Sequence, residues 1–227
     1  MTKNDERIWV ISNYQQDPSL VIESLSESHL IYNQGGVGIP AELALQKNCI
    51  DSLHSGHNIS DYFRFIIDHY ECLPERVGFI KGNLFPRHIP KNSFLEREKL
   101  SGFIPLYGDS KTFAPQYRFP FDIRLVAQQI APGYYLEIAN DWYVKHRNPG
   151  KHYPHLNDLF LHLFGRQVPK YVLFTPGACM VVPRENILRW PLDLYRHLYE
   201  VVSYEFFPVE AFHVERTMLY LFDFPKL

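Results

Sequence analysis

Three basic side chains lie in the segment KGNLFPRH, directly after an apolar run: Lys81, Arg87 and His88. In an open α/β sheet, ligands bind beyond the carboxyl ends of the strands. Cationic donors at such a place can bind diphosphate oxygens through charge-assisted hydrogen bonds. The segment, which also contains Asn83, therefore predicts a diphosphate site. The alternative is a strand end with solvated cations.

Small side chains stand together in FTPGACMVVPRENILRWPLDLY, where Gly177 and Ala178 precede an apolar run. Small residues in a strand allow a ligand to approach the backbone closely. The segment therefore predicts a small-residue strand that forms one wall of a pocket. Pro183 is expected to turn the chain, which would place Arg184 at the rim of that pocket.

Carboxylates are the candidates for a general base. Glu210 and Glu215 lie in a segment whose apolar pattern predicts a last helix over Val209–Phe222, and Arg216 follows Glu215 directly. Asp61 lies in the first turn of an earlier predicted helix. A carboxylate acting as a base most naturally takes its proton from an acceptor hydroxyl. The alternative for each of these residues is a solvated or salt-bridged position.

Basic and aromatic residues alternate in a segment near the middle of the second half of the chain. Its members are Trp142, Tyr143, Lys145, Arg147 and Lys151. Basic residues between aromatic platforms can follow a phosphate backbone and stack bases. The segment therefore predicts an acceptor-binding region, with DNA as one possible acceptor. The alternatives are a loop that binds a glycan and a solvated face.

The motifs of common metal centres are missing from the sequence. No Asp-x-Asp pair ends a strand, and neither C-x-x-C nor H-E-x-x-H occurs. The histidines on loop-like segments are His54, His57, His146, His152 and His155. They lack a fixed spacing, and we interpret them as surface residues rather than metal ligands. We predict no bound metal, although a divalent cation at the diphosphate is compatible with the sequence.

The elements that must position these residues alternate between strands and helices. Strands are predicted at Arg7–Asn13, 29–32, Arg76–Lys81 and 172–174. Helices are predicted from Pro18 to about Glu27, over 58–70 and 160–164, and over Val209–Phe222. Residues 83–133 are expected to be largely irregular because prolines interrupt them. A strand, a helix and a second strand within 35 residues is typical of an α/β domain.

Composition narrows the classes of protein. The chain has 227 residues, which is enough for one sizeable core. A net charge of −2 argues against a surface that binds polyanions everywhere. Three widely spaced cysteines predict reduced thiols, and no stretch has the length of a membrane span. We expect a cytoplasmic protein without membrane insertion, and its oligomeric state stays open.

Two signatures in the chain resemble those of an uncharacterised family, a domain of unknown function found mostly in fungi and bacteria. The first is carried by Asn58, Asp61, Tyr62, Ile66, His69, Tyr70, Leu73, Pro74, Phe79, Ile80, Lys81, Gly82 and Asn83. The second is carried by Gly177, Ala178, Val182, Arg184, Glu185, Ile187, Pro191, Leu194, Tyr195, Glu215, Arg216 and Phe222. Order and spacing hold over roughly residues 7–222. Departures are Asp61 for Glu, Lys81 for Gln and Met218 for Trp.

This family is similar to glycosyltransferases with the GT-A fold, and in pattern to branching-type N-acetylglucosaminyltransferases. The resemblance implies one Rossmann-related α/β domain over 1–227, with a mixed, mainly parallel sheet flanked by helices. A nucleotide-sugar half would cover about 1–90 and an acceptor half about 91–227. In the similar enzymes a carboxylate on a late helix acts as the base, and some of them neutralise the departing diphosphate with basic side chains instead of a metal.

The resemblance implies an inverting glycosyltransferase that uses a nucleotide sugar as co-substrate. Asn13 and Tyr14 would contact the nucleotide, and Glu215 would deprotonate the acceptor. Gly177 and Ala178 would leave room for the sugar. The cations that would offset the diphosphate charge are Lys81, Arg87 and His88, with Arg184 or Arg216. The acceptor would be a glycan or, as for some phage enzymes, hydroxymethylated DNA. The alternative is a non-catalytic module that binds a nucleotide or a sugar.

Overall fold

The computed structural model describes residues 7–35, 37–108, 127–138, 141–145 and 147–224. Nine strands lie in these residues: β1 (Arg7–Asn13), β2 (His29–Asn33), β3 (Cys49–Asp51), β4 (Arg76–Lys81), β5 (Ile104–Pro105), β6 (Ala127–Ala131), β7 (Tyr134–Ile138), β8 (Tyr171–Phe174) and β9 (Met180–Pro183). Eight helices accompany them: α1 (Ser19–Ile22), α2 (Ala41–Ala44), α3 (Ile59–His69), α4 (Lys91–Arg97), α5 (Leu156–Phe164), α6 (Arg184–Ile187), α7 (Leu192–Ser203) and α8 (Val209–Phe222).

The larger sheet has six strands in the order β3-β2-β1-β4-β9-β5. The first four strands in this order run parallel, and β9 is antiparallel to β4 and to β5. All seven residues of β1 are buried, as expected for a central parallel strand covered on both faces. The α/β class and the mixed, mostly parallel sheet are therefore confirmed.

Side chains of β1 alternate between two cores, because successive residues of a strand point to opposite faces. Ile8 and Val10 face the core built with α3, α7 and α8. Trp9 and Ile11 face the second core, to which Phe94 of α4 also belongs. This double burial explains why the sequence of β1 shows a continuous apolar run instead of alternation.

The smaller sheet is antiparallel, with the order β6-β7-β8. A turn at Thr175–Ala178 connects β8 to β9, and the Ala178 N–H donates to Thr175 O at 3.2 Å. Gly177 has φ 79° and ψ −2°, which with Pro176 before it makes a type II turn. The small residues predicted as a strand therefore form a turn, and β9 begins only at Met180. The backbone needs glycine here because its φ is positive.

Several boundaries differ from those that the sequence predicts. α1 ends at Ile22 instead of near Glu27. Glu27 lies beyond the helix and accepts hydrogen bonds from the side chains of Arg7 and Trp9 on β1. α5 begins before residue 160, at Leu156. β1, β4 and α8 have the predicted bounds, and Pro191 precedes α7 and so restarts the helix.

Candidate active site

A cleft of about 440 Å³ opens at the carboxyl ends of β1 and β4. In the sheet, β2 and β3 lie on one side of β1, whereas β4, the next strand along the chain, lies on the other side of β1. This is the topological switch point, where open α/β sheets bind their ligands. The lining residues are Ser12, Tyr14, Gln16, Gly56, His57, Asn58, Ile59, Lys81, Gly82, Asn83, Arg87, His88, Phe207, Ala211, Phe212 and Glu215.

Six of the predicted site residues line this cleft together: Tyr14, Lys81, Asn83, Arg87, His88 and Glu215. Tyr14 follows β1, and the predicted basic cluster follows β4. Because β1 and β4 are parallel neighbours, their carboxyl ends meet at one edge of the sheet. Glu215 reaches the same space from α8, the last helix. The geometry thus unites the predicted basic cluster with the predicted carboxylate.

Gly177 lies between this carboxylate and the basic cluster. Its N–H donates to Glu215 Oε1 at 2.5 Å, and its carbonyl oxygen accepts from Asn58 Nδ2 at 3.0 Å. A Cβ atom on Gly177 would lie 2.8 Å from His88 Nδ1 and 3.6 Å from Lys81 Nζ. The role of Gly177 is therefore to position Glu215 beside the basic cluster. It does not line the cleft, so the prediction that it leaves room for a sugar stays without direct support.

Glu215 belongs to a chain of charges that leads away from the cleft. Arg216 Nη1 donates to Glu215 Oε2, and Arg216 Nε donates to Glu137 Oε1 at 2.8 Å. Glu137 is on β7 and is 1 % exposed. The guanidinium group of Arg216 lies 3.8 Å from the ring centroid of Tyr143 and 4.6 Å from that of Phe174. Arg216 is thus held by two carboxylates and two aromatic rings.

Arg216 consequently does not line the cleft as a cation for diphosphate, which corrects the prediction for this residue. Burial by itself would lower the pKa of Arg216, but Glu137 and Glu215 reverse that effect and raise it. Tyr143 is buried in the same cluster, and the indole N–H of Trp142 donates to Glu137 at 3.4 Å. Neither aromatic residue is thus an exposed platform for an acceptor, as the basic and aromatic segment had suggested.

The other two carboxylates proposed as bases are buried. Glu210 Oε1 accepts from the N–H groups of His152 and Tyr153, and its Oε2 accepts from the Tyr204 hydroxyl at 2.9 Å. Because it is 0 % exposed and fully engaged, Glu210 is a structural residue. Asp61 is also buried, beneath the cleft.

Asp61 is the centre of a polar network under the cleft floor. It accepts hydrogen bonds from the hydroxyls of Ser12 and Ser52 and from Gln34 Nε2. Burial raises the pKa of Asp61 to about 6, and the three hydrogen bonds only partly oppose this effect. Asp61 reaches a ligand only through Ser12, which itself lines the cleft.

Three further predicted donor contacts lie elsewhere. Asn13 is 0 % exposed and donates from Nδ2 to Gln16 O and Asn33 Oδ1. Ala178 is buried in the core. Arg184 follows β9, whose last residue is opposite Arg76 at the start of β4. It therefore lies at the other end of the sheet from the cleft, roughly 16 Å along the strand.

Two histidines line the cleft in the neutral form. Burial, Lys81 and Arg87 lower the pKa of His88 to about 3. Burial and Lys81 lower the pKa of His57 to about 4, although its hydrogen bond to Val202 O has the opposite effect on the pKa. His57 is 8 % exposed, so its interpretation as a surface residue was wrong. The positive charge at the cleft comes from Lys81 and Arg87.

None of the predicted acceptor cations lines the cleft, although Arg147 packs against two residues that do. Arg147 is exposed, and its guanidinium group lies 5.2 Å from the ring centroid of Phe207 and 5.0 Å from that of Phe212. Lys151 is exposed over Tyr204. Lys145 is exposed as well, and His146 lies outside the described residues.

Sequence reasoning missed one wall of the cleft, which is built by residues 56–59 and by Phe207, Ala211 and Phe212. Phe212 is separated from Glu215 by three positions on α8, so both lie on one helix face. That spacing could have been read from the sequence once Glu215 was a candidate. The approach of residues 56–59 could not, because it depends on the docking of α3 against the sheet.

Within the ranges that the structure describes, no group of three or more His, Cys, Asp or Glu side chains is placed to hold a metal ion. No helix in those ranges combines the length and the apolar character needed to cross a membrane.

The model of a protein family described as "Protein of unknown function (DUF3431)" matches residues 10–224. The chain belongs to this family. The matched region contains every residue that lines the cleft, from Ser12 to Glu215. No curated protein and no solved structure matches the chain. The predicted membership of a domain-of-unknown-function family is thereby confirmed.

Proposed function

We propose that this member of the family is a glycosyltransferase with a GT-A-like domain, which moves a sugar from a nucleotide sugar to a hydroxyl acceptor. The observation that carries the proposal is the position of Glu215. Among the described residues it is the one carboxylate that lines the cleft, and it shares the cleft with Lys81 and Arg87 at the switch point. A base and a diphosphate site in one cleft are what such a transfer requires.

The donor would occupy the side of the cleft at the ends of β1 and β4. Its diphosphate would face Lys81 and Arg87, for which the structure describes no carboxylate partner. His88, neutral between these two cations, can offer an N–H group without adding a charge. Tyr14, beside the end of β1, would contact the nucleoside. Oriented charges of this kind stabilise the negative charge that develops on a leaving diphosphate.

The transfer step would be a single displacement with inversion. The acceptor oxygen forms a bond to the anomeric carbon, and the bond from that carbon to the diphosphate oxygen breaks. The nucleoside diphosphate leaves with the electron pair, and the acceptor proton passes to Glu215. Each Glu215 oxygen accepts one hydrogen bond, so a lone pair stays available on each for the acceptor hydroxyl.

The test is thermal unfolding with UDP-, GDP-, ADP- and dTDP-linked hexoses, each with EDTA and with Mn²⁺. We expect one nucleotide class to stabilise the protein in EDTA, by about 2.7 kcal/mol at a hundredfold excess over Kd. Lys81→Met should remove the shift, whereas Lys170→Met, which changes an exposed lysine over Tyr171, should keep it. Stabilisation by none of the donors would contradict the proposal.

A second candidate is a binding module without transfer activity. The observation in its favour is that both oxygens of Glu215 already serve the structure, by accepting from Gly177 and Arg216. A module of this kind would bind the nucleotide sugar and never convert it. Incubation with the stabilising donor and a panel of hydroxyl acceptors, followed by mass spectrometry, separates the two functions. Release of nucleoside diphosphate with a glycosylated product excludes the module.

A further inference from the structure

A further cation lies beside the cleft, in addition to the two that the donor site uses. Lys81 and Arg87 face the proposed diphosphate. Arg147 packs against two rings that line the cleft, and Lys151 lies over Tyr204. An exposed carboxylate, Glu205, directly follows Tyr204 in the chain. Arg147 is therefore a cation beside the cleft that has no carboxylate partner among the described ion pairs.

Arg147 is held in a defined orientation beside the cleft. Its guanidinium group lies against two rings, Phe207 and Phe212, which both line the cleft. One N–H group donates weakly to Phe207 O at 3.4 Å. Stacking restricts the side chain and leaves most of its five donors for a ligand. A guanidinium prepared in this way suits bidentate binding of a carboxylate or a phosphate.

Phe212 connects Arg147 to the proposed base. Phe212 precedes Glu215 by three residues on one face of α8, a rise of about 4.5 Å. The Arg147 guanidinium lies 5.0 Å from the Phe212 ring. Phe212 and Glu215 both line the cleft, so a ligand whose hydroxyl meets Glu215 lies beside the ring against which Arg147 packs.

We propose that the acceptor carries a negative charge, and that Arg147 binds the carboxylate or phosphate group that carries it. The inference rests on the proposed function, in which Glu215 is the base, and it adds the class of acceptor to that function. A nucleic acid fits the described residues less well. Trp142 and Tyr143 are packed around Glu137 and Arg216, so they offer no exposed platforms on which bases could stack.

The experiment measures binding without turnover, by saturation-transfer NMR and calorimetry. The probes are methyl β-glucuronide, glucose 6-phosphate and the uncharged methyl β-glucoside. We expect at least one acidic probe to bind more than tenfold more tightly than the uncharged one, and the better of the two distinguishes a carboxylate from a phosphate. Equal binding of charged and uncharged probes, or no binding of either acid, would overturn the proposal.

Two variants locate the effect. Arg147→Gln should weaken binding of the acidic probe roughly tenfold or more, as expected for the loss of a charged hydrogen-bonded pair. The control Lys170→Gln removes another exposed cation that also lies over an aromatic ring, and it should change nothing. If Arg147→Gln does not fold, Arg147→Lys keeps the charge and should still lose affinity, because it loses the bidentate geometry. Unchanged affinity in the folded variant refutes the role of Arg147.

Two further outcomes separate this inference from the proposed function. An acidic probe that binds through Arg147, although no nucleotide sugar stabilises the protein, supports the anion site and contradicts the transferase. A duplex with hydroxymethylated cytosines that binds with steep salt dependence and displaces the acidic probe through Arg147 overturns the inference, because the ligand class would then be nucleic acid.

Discussion

The backbone N–H of Gly177 donates a hydrogen bond to Glu215 Oε1 at 2.5 Å. This contact joins the turn before β9 to the last helix. Because β9 lies beside β4 in the sheet, it holds the carboxylate in a set position relative to Lys81 at the end of β4. The proposed base and the proposed diphosphate site are therefore connected through one glycine.

Replacing Gly177 by Ala should destabilise the protein and displace Glu215. The backbone has φ +79°, and the new Cβ would lie 2.8 Å from His88 Nδ1. We expect a loss of about 1–3 kcal/mol in the free energy of unfolding, measured with urea. The matched control is Gly102→Ala, since Gly102 has the same φ with no atom within 4 Å of its Cβ position. Equal losses in both variants would show that the contact with His88 is unimportant.

Glu215→Gln should affect turnover and Glu210→Gln should affect stability, although both residues lie on α8. Glu215→Gln should lower kcat by about 10²–10⁴ and keep donor binding, because general-base catalysis contributes that much. Glu210→Gln should instead lower the melting temperature, because an amide nitrogen would replace one of two carboxylate oxygens that accept buried hydrogen bonds. Steady-state kinetics and calorimetry test the pair. Near-normal turnover in Glu215→Gln would rule out its role as the base.

Removing the charge of Arg216 should be strongly destabilising. In Arg216→Met the carboxylate of Glu137, 1 % exposed, would lose its ion-pair partner. Breaking a buried pair by removing one partner costs about 3–5 kcal/mol. The double variant Glu137→Gln, Arg216→Met removes the remaining buried charge and should recover part of that loss. A cost below about 1 kcal/mol for the single variant, measured by urea unfolding, would contradict the buried pair.

Asp61 should make stability depend on pH. Its pKa is raised to about 6 in the folded protein from 3.8, so the folded state binds more protons than the unfolded state between these values. Its contribution is fully present below about pH 4 and is lost as the pH rises through 6. Relative to Asp61→Asn, the wild type should therefore gain about 1 kcal/mol between pH 7 and pH 5. A pH-independent difference in the free energy of unfolding would show that Asp61 titrates normally.

Much of the donor side could be predicted from the sequence. β1 and β4 appear as continuous apolar runs because both of their faces are buried. The resemblance assigned both Tyr14 and Lys81 to the donor, and the parallel pairing of β1 and β4 brings them to one cleft. α8 was recognisable by its apolar spacing, which placed Glu215 on a late helix.

The direction of β9 could not be read from the sequence, and it decides which residues of its segment reach the cleft. As β9 is antiparallel to β4, its start lies at the cleft and its end at the far edge. Gly177, just before β9, thus contacts the site, whereas Arg184, just after it, does not. The partners of Arg216 could not be read from the sequence either. The adjacent Glu215 indicates an ion pair, but no local pattern indicates that Glu137 also binds the guanidinium group.

The α/β class, the two central strands, the last helix and the types of charge available for a site follow from the residue pattern. Which of those charges are free depends on how the segments pack together. Lys81, Arg87 and Arg147 stay unpaired in the described part of the chain, whereas Arg216, Glu210 and Asp61 are buried among partners distant in sequence. Pairing and burial depend on distances in space between segments, and local spacing carries no information about those distances.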